Sequence, residues 1–122
     1  MAKLRIGLVT LAAVFVLSYA VSQASYFVQG NTIKQVMRKA HKQGLLKQVL
    51  SGRSSDAERR ELLNLYRDLA RNTPPRGEPR SWRARTSSIV NAASAVAEND
   101  PRGIATLKNA VNCASCHRAH KD

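Results

Sequence analysis

Near the end of this 122-residue sequence two cysteines stand three positions apart, with a histidine directly after the second: Cys113-Ala114-Ser115-Cys116-His117. They are its only cysteines. The pattern C-x-x-C-H reads as a site of covalent haem attachment. On a helix, thiols three residues apart lie on one side, where both can reach the vinyl groups along one porphyrin edge and form two thioethers. The adjacent imidazole then falls beneath the ring, where a nitrogen can bind iron. The expectation is one covalent haem c on Cys113 and Cys116, with His117 as axial iron ligand. Two other chemistries use paired cysteines. A disulfide or dithiol redox pair of the thioredoxin type needs a strand-helix context that is missing here. Zinc needs four ligands where the motif supplies three, and only His41 and His120 remain as further histidines.

The elements that must hold this motif read as helices. After residue 25 no useful run of alternating β-branched residues occurs, whereas apolar residues recur at spacings of three and four. A first helix is expected from Asn31 or Thr32, with Ile33, Val36, Met37 and Ala40 on one face, loosening at Gly44. Its continuation, Leu45 to Leu50, stops at Ser51-Gly52. Ser55 and Glu58 form a capping box for a second helix whose stripe is Leu62, Leu65, Tyr66 and Leu69. The prolines and glycine of residues 72–79 predict a long connection. A third helix is expected from Ser81 to Glu98, with Trp82, Ile89, Ala93 and Val96 inward. Asp100 caps a fourth with Pro101 at its first position. Leu107, Ala110, Ala114 and His117 should fall along one side of it. The expected fold is all-α, a compact four-helix bundle with the motif on its last helix.

Composition agrees with a bound apolar cofactor. Aromatic residues are only 5% of the chain, and its apolar content is mostly small side chains that fill a core poorly by themselves. Lys3 and Arg5, an apolar run from Ile6 to Val21, and the small residues Ser22 and Ala24 have the three parts of a secretory signal peptide. Residues 1–24 are therefore expected to be a signal peptide, or an uncleaved anchor tying the domain to a membrane, with residues 25–122 as the folded domain. Both versions send that domain out of the cytoplasm, to the periplasm. Cleavage after Ala24 removes Lys3 and Arg5 and takes the net charge from +12 to +10. A basic surface of this kind suits acidic partner proteins or anionic membranes. Nucleic acid is not expected as a partner, since no aromatic-basic binding motif is present.

A C-terminal C-x-x-C-H on the last of four helices resembles the class II cytochromes c, the cytochrome c′ family. The helix pattern carries the resemblance across the mature chain, but only Cys113 to His117 matches a specific motif. The resemblance implies a sixth iron ligand from a methionine near the start of the first helix. Met37 occupies a comparable place, and His41, one turn later, is the second choice. It also implies a basic residue after the haem histidine, for which Arg118 or Lys121 would serve, and homodimers, which are common among such proteins. His120 reads as a surface or helix-end residue. Lys34, Arg38 and Lys42 line the first helix and could pair with propionates, or form a solvated face. The function implied is one-electron transfer with acidic redox partners; the rival is a cytochrome c′ with an open distal site that binds nitric oxide or carbon monoxide. A third reading is a haem-free helical interaction protein. No catalytic constellation appears, and no enzymatic activity is expected.

Overall fold

The computed structural model describes residues 29–122. The expected signal peptide or anchor, residues 1–24, lies outside the described residues. Among those described, all regular structure is helical. No helix among them is long and apolar enough to cross a membrane.

Helix α1 (Ile33–Val36) begins at Thr32, whose hydroxyl accepts from the Gln35 amide at 3.2 Å while the Gln35 side chain accepts from the Thr32 amide at 2.8 Å. It runs without a break into a π-helical segment, Met37–Lys42. There the Gln43 N–H donates to the Arg38 carbonyl five residues back, at 2.9 Å. Gly44, at φ 87°, ends the segment in a left-handed conformation that a side chain would strain. Helix α2 (Leu45–Leu50) follows, and α3 (Asp56–Arg71) starts on the expected capping box, with Ser55 and Glu58 each accepting from the other's amide. Helix α3 buries Leu62, Leu63, Leu65, Tyr66 and Leu69.

Helix α4 (Pro79–Ala97) starts two residues before Ser81, because Pro79 sits at the first helical positions, where a missing amide hydrogen leaves no bond unmade. Trp82, Ile89, Ala93 and Val96 are buried as expected, with Thr86 and Ala92 beside them.

The expected fourth helix departs furthest. Pro101 lies in a turn, with the Asp100 carboxylate accepting from the Arg102 amide at 2.8 Å, and α5 (Gly103–Ala110) begins only after it. The chain then breaks at Val111 and Asn112 and starts again as α6 (Cys113–His120). Asn112 causes the restart: its side chain accepts from the Ser115 amide at 3.0 Å and caps the new helix. The break turns α6 away from the line of α5, so Leu107 is buried whereas Ala114 and His117 are exposed.

Helices α3 and α4 form the main packed pair, α5 lies along α4, and the first helical run and α2 pack on α3. Gly103 allows α5 to approach α4 closely, since a Cβ there would stand 2.8 Å from the Val96 nitrogen. Among the described residues α6 shares no extended packed face with another helix. Its attachment is largely polar, and it borders a cavity.

Candidate haem site

A cavity of about 740 Å³ separates the first helical run from α6. That lies inside the roughly 300–1,000 Å³ usual for pockets that enclose a cofactor. Ile33, Met37 and His41 form one wall, Cys116, His117 and His120 the opposite one, and Trp82 and Pro75 contribute between them. Lys34, Lys42 and Lys121 add cations to the lining. Side chains separated by 75 to 87 positions in sequence are thus brought to one space, although the motif and the two candidate sixth ligands lie on separate helices.

Cys113 opens α6 and is exposed; Cys116, one turn on, is half-buried and borders the cavity, and both thiols are free. Burial raises the Cys116 thiol above its ordinary range, against the pull of the nearby Arg85 guanidinium. Among the described residues no three His, Cys, Asp or Glu side chains gather into a metal-holding cluster.

The wall opposite the motif is more polar than the helical pattern suggests. Half-buried His41 turns its Nε2 to the Tyr66 hydroxyl, 3.1 Å away, with the two rings 5.9 Å apart and tilted. Burial lowers the pKa of His41, and the charge of His117 lowers it further. Burial, then the charge of Cys113, holds the Tyr66 phenol well above the ordinary tyrosine range. Tyr66 is thus a neutral hydroxyl needing a partner, and His41 is that partner. Met37 is half-buried on the same wall and packs against the core.

His120 is not a surface residue: it is 2% exposed. Its ring meets Trp82 edge to face, with centroids 5.3 Å apart. Nδ1 lies 3.1 Å from the Arg76 carbonyl and Nε2 3.1 Å from the Ser81 hydroxyl. Because the carbonyl only accepts, Nδ1 carries a hydrogen toward it, while the Ser81 hydroxyl can either donate to Nε2 or accept from it. Gly77, at φ 89°, lets this loop press on α6; a Cβ there would stand 2.5 Å from both the Ala119 oxygen and His120 Nδ1.

The basic residues divide. Lys34 and Lys42 line the cavity, and with Arg38 they also line an adjoining groove of about 380 Å³. Lys121 lines the cavity too, whereas Arg118 is exposed and offers its carbonyl to Arg76 at 2.6 Å. Tyr66, His120 and Arg85 are the neighbours of the site that spacing did not single out.

No protein-family model, no curated protein and no solved structure matches this chain.

Proposed function

We propose that the chain is a c-type cytochrome with one covalent haem c in this cavity, acting as a one-electron carrier outside the cytoplasm. We propose further that its helices form a four-helix bundle of the class II type, with α5 and α6 together as the fourth, broken member. One observation carries the reading. Cys116 and His117 face, across a cavity of cofactor size, the wall bearing Met37 and His41.

The residues present suit such a group. The Cys113 and Cys116 thiols would hold the group through two thioethers, formed by addition of each S–H across a vinyl group with no oxidant needed. His117 would supply a nitrogen to the iron, and Met37 a thioether sulfur from the opposite wall. Lys34, Lys42 and Lys121 offer counter-charges to propionates. Bound between these residues, haem iron supplies a ferrous/ferric couple whose potential a His/Met ligand pair raises. Ile33, Met37 and Trp82 keep water from its faces. The net charge of +12 suits transient docking of acidic redox proteins.

The engagement of His41 favours the second reading, in which the distal position stays open to carbon monoxide or nitric oxide. With Nε2 turned to Tyr66, His41 competes poorly as an iron ligand. If Met37 also stays away, a small gas meets a wall that offers it no competing protein ligand.

Mass spectrometry and haem staining of the secreted protein on a denaturing gel test the proposal, with an optical spectrum of both redox states. The expected product is a polypeptide heavier by one haem, with a low-spin reduced spectrum. A bare polypeptide with free or mutually oxidised thiols overturns the proposal. A five-coordinate reduced form that takes up carbon monoxide moves the function from electron transfer to gas binding.

A further inference from the structure

Arg85 of α4 is half-buried and reaches the motif from outside the cavity. Its Nη1 donates to the Ser115 hydroxyl at 2.6 Å, inside the two-residue interval between the cysteines. Its Nε donates to the Ser81 hydroxyl at 3.3 Å. Ser81 also shares a hydrogen bond with His120 Nε2 at 3.1 Å, and His120 Nδ1–H donates to the Arg76 carbonyl. Arg76 in turn donates to the Arg118 carbonyl. The hydrogen bonds thus run without a gap from Ser115 through Arg85, Ser81 and His120 to Arg76. The network grips α6 at its first turn through Ser115 and at its last through His120. It does so where α6 has no broad apolar face against another helix.

We propose that Arg85 is the positioning residue of the motif-bearing helix: one guanidinium fixes the direction in which α6 presents Cys116 and His117, and its charge biases the redox centre beside them. The positioning part stands on the hydrogen bonds alone; the charge part rests on the haem reading given above. A fixed positive charge near the iron disfavours the ferric state, which carries one more positive charge than the ferrous, and so raises the midpoint potential. The guanidinium suits both tasks, since its planar fork can hold two hydroxyls at once and it stays charged at any relevant pH.

Three variants of the full-length purified protein separate the parts: Arg85→Gln, Arg85→Lys and Ser115→Ala. Amide hydrogen exchange over residues 113–120 reads positioning, and potentiometric titration of the visible spectrum reads charge. Arg85→Gln should speed exchange in α6 by roughly tenfold, as losing one partly buried charged hydrogen bond would, and should lower the midpoint potential. Arg85→Lys should keep the potential near that of the parent yet still speed exchange, because an ammonium does not reproduce the fork. Ser115→Ala should speed exchange and leave the potential in place. Unchanged exchange in both Arg85→Gln and Ser115→Ala overturns the positioning role. Equal falls in potential for Arg85→Gln and Arg85→Lys overturn the charge role. If the parent protein carries no haem, the functional reading and the charge role fail together, while the exchange measurement still decides the positioning role.

Discussion

Met37 and His120 carry opposite lessons at the scale of single residues. Met37 lines the cavity and also packs against the core, so on the proposed haem reading its substitution must be followed by spectroscopy rather than by stability. Met37→Ala is expected to convert a low-spin reduced spectrum to a five-coordinate one that binds carbon monoxide. An unchanged low-spin spectrum would remove Met37 from the coordination sphere. His120 was legible in the sequence only as a basic residue near a helix end. Its burial depends on residues 75–81 folding back over α6, a tertiary event that no local pattern announces. His120→Ala leaves the Arg76 carbonyl without its imidazole partner, leaves the Ser81 hydroxyl only its bond from Arg85, and vacates the edge of Trp82. The expected loss is about 2–4 kcal/mol of stability, from the unpaired groups and the space left behind, measured by urea denaturation. The motif could be read without the fold, because the chemistry expected of it depends on spacing within five residues.

At the scale of elements, the long periodic helices were read from sequence to within about two residues at their starts, since capping boxes and proline punctuate locally. The fourth helix misled because its apolar spacing runs on from Leu107 through Ala110 to Ala114, straight across the break. The missed signal was Asn112, three residues before Ser115, where an amide side chain competes with the helix and restarts it. The π-helical stretch had no sequence signature at all. Within it Met37 and His41, four residues apart, line the cavity wall while Val36, just before it, and Ala40 stay in the core. The contact between α4 and α5 is testable at Gly103. A Cβ there meets the Val96 backbone, which cannot swing aside as a side chain would. Gly103→Ala should destabilise the fold by about 1–3 kcal/mol, the usual result of forcing atoms into a packed interface, and lower the thermal midpoint accordingly.

For the whole molecule, stability should depend on pH through a tie at the opposite end of the described chain. The Asp68 carboxylate accepts from the Asn31 amide at 2.9 Å and from its side chain at 2.7 Å, and Arg71 pairs with it at 3.1 Å. The backbone bond from Asn31 is the main cause of a pKa held below the ordinary carboxylate value, aided by its side chain and by Arg71 and opposed by burial. A depressed folded-state pKa means that this stabilisation is complete above about pH 4. It fades as pH falls through the folded-state value, where folded and unfolded forms bind protons alike. Urea midpoints should therefore drop on acidification below that range, and Asp68→Asn should flatten the drop. Fold class was readable from periodicity because an all-helical chain advertises its buried faces. The cavity was not, since it arises from helices that meet only after folding.

Helix α6, gripped by hydroxyls, carbonyls and one guanidinium rather than by a greasy seam, implies an order of assembly. The body built on α3 and α4 gains most of its buried contacts without α6, so it should form first, with the segment after the break at Val111 and Asn112 docking onto it. On that order the segment bearing the two free thiols closes last.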